Sequence, residues 1–320
     1  MVFRLRVSSL PAALLGISGL LYGCGGSNST PSASTVLSSY VYMTAAGSNA
    51  VDIFAPDGTL ARSISGPDTG LSNPFSLTVD PTGKLYVVNQ PLGAHGFVTV
   101  YAPKASGDSA PLATIGGAEL SSPNFVAVDS SAAVYVTNTC GEAACQSGVF
   151  VYNANAPAGP VRTIPWTTAN IGAPEGIAVD SSGETYVVDA GPATGQVDVF
   201  AAAANGPTTP MRIIEDDSLN ELRRPKGIAL DRSDYLYVAD SNTGIQVFSP
   251  GANGPAVPVR SVSGQFYAVA VSNSGALYAL ESAGAALPAY SASVYGPKNA
   301  VIKTYGPVEN GSLGLAIAPF

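Results

Sequence analysis

One phrase recurs six times along the chain. It reads SLTVD at 76–80, FVAVD at 125–129, GIAVD at 176–180, GIALD at 227–231, AVAVS at 268–272 and, cut short, GLAIA at 314–318. Each full copy is followed by a small-residue turn and a second phrase: LYVVN at 85–89, VYVTN at 134–138, TYVVD at 185–189, LYVAD at 236–240 and LYALE at 277–281. Self-similarity at this period means one supersecondary unit repeated, and it decides the architecture ahead of any other signal.

The copy at 176–200 shows what the unit is. Ile177 and Val179 alternate with small residues, the period of a strand. Asp180-Ser181-Ser182-Gly183 supplies a tight turn, because Asp bonds its own downstream backbone and Gly permits positive φ. Thr185-Tyr186-Val187-Val188 is β-branched and aromatic, a second strand. Gln196–Phe200 alternates cleanly as a third, and Asn205-Gly206-Pro207 turns the chain into a fourth over 211–214. The unit is a four-stranded antiparallel meander. Its matching tyrosines, Tyr42, Tyr86, Tyr135, Tyr186, Tyr237 and Tyr278, are spaced by 44, 49, 51, 51 and 41 residues, the length of a propeller blade. The first unit lacks its opening strand and starts at Ser39-Tyr40-Val41-Tyr42, and the missing phrase stands at 314–318. The sequence therefore predicts an all-β, six-bladed β-propeller over 39–320, closed by pairing of its N- and C-terminal strands, which removes the open ends of a linear array.

The pattern P-x-G-I-A-V-D-x-x-G-x-x-Y-V-x-D, from Pro174 to Asp189 and again from Pro225 to Asp240, resembles the NHL repeat. The linkers GANGPAVPVRSVSG (251–264) and ANGPTTPMRIIED (204–216) resemble those of bacterial exported NHL-repeat proteins. The resemblance implies the propeller fold. It does not single out a function, since the family includes lyases, RNA binders and interaction modules.

Residues 1–23 read as a lipoprotein signal peptide: Arg4 and Arg6, an apolar stretch from Val7 to Leu21 too short for a typical membrane span, then Leu21-Tyr22-Gly23-Cys24, which resembles a bacterial lipobox. Tyr22 departs from that pattern. Lipidation is expected at Cys24. Residues 24–38 then form the acylated residue and a flexible tether. Gly25, standing where a retention Asp occurs in some bacteria, points to the outer membrane or a periplasm-facing location. With Cys24 acylated, Cys140 and Cys145 are left as an even pair, expected as a disulfide in an exported chain; C-x4-C without a nearby histidine is a poor zinc site.

Charged residues make up only 11% of the chain, against roughly 25% in an ordinary soluble domain. Loss of the leader with its two arginines takes the formal charge from −8 to −10. An RNA- or DNA-binding face needs a basic surface, so no nucleic-acid partner is expected. Arg62, Arg162, Arg212 and Arg260 recur in the fourth strands and read as guards of an exposed edge.

In a propeller the connections between second and third strands, and between one blade and the next, share one face around the channel mouth. Here they hold all the variation: 90–97, 140–147, Trp166, the acidic run Glu215-Asp216-Asp217, Arg223-Arg224-Pro225-Lys226 and the insert 282–293. Trp166, Arg223, Arg224 and Tyr290 are the expected ligand-binding residues. Asn89, Asn138, Asp189, Asp240 and Glu281 end the second strands and read either as a polar ring at the channel mouth or as turn residues of each blade. His95, the one histidine of the chain, has no carboxylate close in sequence to orient it as a base. The sequence reads as a non-catalytic propeller that binds a protein, peptide or glycan, without a cofactor or resident metal. Two alternatives stay open. One is a calcium-dependent lactonase- or lyase-like enzyme using Asp189, Asp240, Glu281, Asn89 and Asn138. The other is a structural surface protein.

Overall fold

The computed structural model describes residues 37, 39–140, 145–153, 159–166, 172–191, 195–215, 222–282, 290–296, 298–308 and 313–319. The leader and Cys24 lie outside them. Six sheets stand around an axis, each built on a four-stranded antiparallel blade, the fourth of which gains a short parallel fifth strand, Gly254–Pro255. Their innermost strands are Leu315–Pro319, Pro74–Val79, Pro123–Val128, Ala173–Val179, Pro225–Leu230 and Phe266–Val271. The recurring phrase of the sequence is the innermost strand of every blade. Each later strand then lies further out, with one antiparallel turn per step.

The ring closes as the displaced phrase predicts. Leu315–Pro319 pairs with Ser39–Ala45, with Met43 opposite Leu315 and Ser39 opposite Pro319, so the last strand of the chain is the first of its blade. Apolar residues fall into six clusters, one at each joint between blades. At the joint of the second and third blades, for example, Tyr86, Val88 and Val98 pack on Val126, Val136 and Phe150. No sheet has a core of its own; each is buried by its neighbours, which makes the ring a single packing unit.

The rest of the repeated phrase has a polar logic. Asp80 accepts hydrogen bonds from the Thr82 and Lys84 amides and the Thr82 hydroxyl through Oδ1, while the Tyr86 hydroxyl donates to its Oδ2 at 3.2 Å. Asp129, Asp180 and Asp231 repeat the arrangement on Tyr135, Tyr186 and Tyr237. In the sixth blade Ser272 takes the place of the aspartate and accepts from the Ala276 amide. This carboxylate ties the tight turn to the second strand.

The recurring arginines are not guards of an open edge. Arg62, Arg162 and Arg212 fold onto their own blade's tyrosine hydroxyl at 2.7–3.0 Å. Arg162 and Arg212 also donate to Ala202 and Ala252 carbonyls in the following blade. Arg260 reaches the Gly296 carbonyl of the following blade in the same way. The edge they line is itself covered. The Asn-Gly-Pro connections climb along the preceding blade, where Asn205 Oδ1 accepts from the Thr163 amide and Asn253 Oδ1 from the Ile213 amide, each at 3.1 Å. Arg162, Arg212 and Arg260 are clamps between blades, Arg62 stays on the tyrosines of its own blade, and the Asn-Gly-Pro loops are straps over outer strands that would otherwise offer free backbone groups.

Candidate binding face at the tunnel mouth

A tunnel of about 300 Å³ runs between the innermost strands and is lined by all six of them. Five of these strands slip register near their start, between Pro74 and Ser76, Pro123 and Val126, Pro174 and Ile177, Pro225 and Ile228, and Phe266 and Ala268. Proline explains four of the five. It lacks the N–H that the ladder needs, so the strand bulges immediately after it. The bulges carry Phe75, Phe125, Glu175, Lys226 and Tyr267, all half-buried.

These side chains pair around the mouth. The Phe75 and Phe125 rings meet edge to face with centroids 6.2 Å apart. Lys226 Nζ lies 2.6 Å from Glu175 Oε1, bridging the fourth and fifth blades. Tyr267 stands against Tyr290 at 5.3 Å. The backbone beneath is tied from blade to blade. The Ser76 hydroxyl donates to the Asn124 carbonyl, the Asn124 amide group to the Pro174 carbonyl, and the Thr137 hydroxyl to the Glu175 carbonyl, at 2.6–2.8 Å. Gly176 is required here, because a Cβ would lie 2.4 Å from the Lys226 carbonyl oxygen. The mouth is thus a preorganised rim of two aromatic pairs and one ion pair.

The structure distributes the residues expected from the sequence. Tyr290 opens the third strand of the sixth blade and belongs to the rim through Tyr267. Arg223 and Arg224 are exposed just before Pro225, three and two residues from Lys226. The Arg224 amide donates to Asp240 and its carbonyl accepts from Ser241, so its backbone is fixed while its side chain is free to reach outward. Trp166 is half-buried between the third and fourth blades, with its ring edge-on to Phe200 at 5.9 Å. Cys140 and Cys145 are joined. His95 is exposed at a loop tip, and Glu215 is exposed at the end of its strand. Asp216, Asp217, 141–144 and 283–289 lie outside the described residues.

The strand-end residues are all engaged within their own blades. Asn89 Oδ1 accepts from the Ser72 amide and Asn138 Oδ1 from the Ser122 amide, each at 2.9 Å. Asp240 accepts from the amides of Arg224, Asn242 and Thr243. Glu281 accepts from the Ser293 and Tyr295 hydroxyls. In four of these five blades, including Asp189 with Gly172, the residue caps the loop arriving from the blade before. Recurrence at this position therefore has a structural basis. Among the described residues, no three His, Cys, Asp or Glu side chains gather as a metal-ligating group.

Asp189 differs from its counterparts. Burial first, and then the carboxylate of Asp198, push its carboxyl up to about 6. The Gly172 amide and the Trp166 indole pull it back toward the ionised form. Yet neither Trp166 Nε1 nor Asp189 Oδ1 closes a hydrogen bond of normal geometry. The position of Asp198 is filled elsewhere by Asp52, Thr99, Phe150, Gln246 and Ser293, so the first and fourth blades both carry an acid there; in the fourth, the strand-end residue Asp189 beside it has a raised pKa.

Sequence reasoning passed over the bulge residues Phe75, Phe125, Glu175 and Tyr267. A signal was present: in the second to fifth blades a proline precedes the repeat phrase, and the residue after it, or two after in the third blade, is large and does not repeat.

No protein-family model matches the chain, and no curated protein matches it, so the likeness to NHL repeats rests on the residues quoted above. Solved structures do match. A Bacteroides caccae protein of unknown function is 13% identical over 88% of this chain and 98% of its own, with a TM-score of 0.61. A putative 6-phosphogluconolactonase from Bacteroides uniformis is 13% identical over 84% of this chain and 83% of its own, with a TM-score of 0.56. A streptogramin B lyase is 14% identical over 85% and 75%, with a TM-score of 0.51. At such identities the likeness establishes the propeller fold and nothing finer.

Proposed function

We propose that this chain is a non-catalytic binding propeller, exported and held at a membrane by acylated Cys24, which takes a polypeptide partner on the rim of its tunnel. The observation that carries the reading is the rim itself. The turns, tyrosines and clamps of the blades repeat, whereas the bulge positions hold Phe75, Phe125, Glu175, Lys226 and Tyr267, different in charge and shape around the ring. Aromatic pairs beside an ion pair suit the mixed chemistry of a peptide. The inter-blade hydrogen bonds hold the rim in place before a partner arrives, which lowers the entropy lost on binding. Four of the five strand-end residues have their side chains engaged in capping loops.

Peptide display and a glycan panel, both run against the exported chain, test this. Peptides are expected to be enriched, and Arg224→Ser, Tyr267→Ser and Tyr290→Ser together should weaken them more than tenfold, the effect of losing about 1.4 kcal/mol or more of contact. The melting temperature should move by only a few degrees. Enrichment of glycans alone, or peptides that bind the substituted chain equally well, overturns the reading.

The anchor is separately testable. Cys24→Ser should move the protein from the membrane pellet to the soluble exported fraction. Acyl chains contribute about 0.8 kcal/mol per buried CH₂, and no helix among the described residues is long and apolar enough to cross a membrane. A Cys24→Ser protein that stays in the pellet contradicts the anchor.

A further inference from the structure

The outer strands of four blades are covered in one way, and that of the sixth is not. Ser63, Thr163, Ile213 and Ser261 stand at one register, each opposite the middle of its blade's third strand. Each is bonded by the connection of the following blade. The Gly107 amide donates to the Ser63 carbonyl and the Gly206 amide to the Thr163 carbonyl, both at 2.7 Å. Asn205 and Asn253 accept from the Thr163 and Ile213 amides, and Asn299 donates its Nδ2 to the Ser261 carbonyl at 2.7 Å. Two of these segments run parallel to the strand they cover: Gly254–Pro255 along Ile214 and Glu215, and Gly107 beside Ile64. The connection next to the second blade's outer strand includes 154–158, which lie outside the described residues.

Thr304 holds that register in the sixth blade, opposite Ser293. The following blade is the first, and its connection is only Ala55–Thr59, a turn closed on itself through the Ala55 and Gly58 amides at 2.8 Å. Among the described residues, no bond joins this turn to the strand's backbone. Contact comes from the strand's side chains instead. Lys303, at the register of the arginine clamps, donates to the Asp57 carbonyl, and the Tyr305 hydroxyl donates to the Pro56 carbonyl at 3.2 Å. The clamp is kept and the strap is missing. The strand is also the longest outer one, Val301–Val308, eight residues against three to five. Val301, Ile302 and Thr304 are exposed on it. A lysine on an outer strand normally wards off other chains, but here its ammonium is engaged by the neighbouring turn. Pro307 lacks an N–H and confines the available backbone to the stretch before it.

We propose that the outer strand of the sixth blade takes an extended segment of another protein, lying parallel to residues 301–305 as the straps lie on their strands, with an asparagine accepting from the Thr304 amide. The molecule itself shows what such a strand accepts: an uncharged stretch whose Asn-Gly-Pro brings a side-chain acceptor and a close-lying backbone. Addition of a strand to a free sheet edge is an established mode of peptide recognition, with affinity from main-chain bonds. The site is on the outer wall of the ring and does not depend on the rim. Its probe is a synthetic peptide with the sequence of the fourth blade's strap, Ala203–Met211 (AANGPTTPM). This peptide is titrated into the isotope-labelled exported chain and followed by nuclear magnetic resonance. The Thr304 amide signal should shift saturably, together with Lys303 and Tyr305. Alanine in place of the peptide's asparagine should weaken binding about fivefold, the equivalent of about 1 kcal/mol or one hydrogen bond. Thr304→Pro removes the N–H that the asparagine meets and should cost the parent peptide the same factor, while the alanine peptide loses nothing further. A second variant does not alter the strand. Replacing residues 55–59 by the sequence of 201–211 gives the first blade a strap of its own, which should abolish the shifts and raise the melting temperature by a few degrees. Tyr267→Ser with Tyr290→Ser on the rim should leave the titration unchanged, so that failure of the rim reading and failure of this one are told apart. Absence of saturable shifts at Thr304, shifts that centre on the rim, binding that survives the grafted strap, or a parent that dimerises through this strand without peptide, overturns the proposal.

Discussion

Removing residues 313–320 abolishes the cooperative unfolding transition. The deletion takes away the innermost strand of a blade whose other three strands lie at the opposite end of the chain. Leu315, Ala316 and Ala318 are buried there. Leu315 packs with Val41, Met43 and Leu280 at the joint between the last and first blades, and Ala316 with Tyr42, Leu77 and Val87 at the next. Burying a leucine is worth about 1.5–3 kcal/mol. The five paired residues also lose their backbone bonds to Ser39–Met43, each worth about 1 kcal/mol. Two joints open at once, so the total rivals the roughly 5–15 kcal/mol that holds a typical domain together. Thermal unfolding followed by circular dichroism should show a sloping, non-cooperative signal. A milder change probes the same joint. Gly314→Val places a Cβ 2.6 Å from Thr44 Cγ2, where the Gly314 amide also bonds the Thr44 hydroxyl, and should lower the melting temperature without removing the strand. A truncated chain that melts like the parent would mean that the ring does not need its last strand.

That closure was legible because it is a matter of register: a phrase missing at 39 reappears at 314, and strand alternation says which face each copy buries. The four-stranded meander followed from the period of two and the Asp-x-x-Gly turns for the same local reason. Features made by one blade acting on the next were harder to see. Arg162 looked like an edge charge because the sequence does not show that the loop at 202–206 lies over the preceding blade's outer strand. Asn205 and Asn253 looked like turn formers, yet each spends its side chain on a backbone amide 40 or more residues away. The rim was partly legible. Tyr290 and the basic residues at 223–226 were found as exposed or unusual groups in variable loops. Phe75, Phe125, Glu175 and Tyr267 were not, since they sit inside strands that repeat, and only the bulge at the start of each strand, after proline in all but the sixth blade, turns them toward the mouth. Trp166, singled out for its rarity, packs into a joint. Asp198 could have been noticed, because QVDVF puts an acid where FVTVY has a hydroxyl and GIQVF an amide.

Asp189→Asn should stabilise the protein at about pH 8 and leave it nearly unchanged at about pH 4. The carboxyl is 2% exposed and is pushed up to about 6 by burial and by Asp198, against about 3.9 in an unfolded chain. A raised folded value means that the folded state holds a proton the unfolded state gives up. The favourable contribution is therefore fully present below about pH 4 and is lost as pH rises through about 6. Above that, the folded protein keeps a costly charge beside Asp198. Two units correspond to about 3 kcal/mol, an upper figure for the gain at about pH 8. Asparagine fits the site for a reason visible in the molecule. Asn89 and Asn138 occupy the same position and cap the incoming loop through Oδ1, and Asn89 donates its Nδ2 to Thr99, the counterpart of Asp198. The substituted side chain would keep the Gly172 cap and offer a donor to Asp198, turning a like-charge pair into a hydrogen bond. Chemical denaturation of parent and variant across the pH range measures the difference directly. A variant less stable at about pH 8, or a difference that ignores pH, would mean that the paired charge is needed there. Addition of calcium sharpens the comparison. A gain in parent stability near neutral pH that Asp189→Asn removes would move the chain toward the calcium-dependent reading and away from the binding rim.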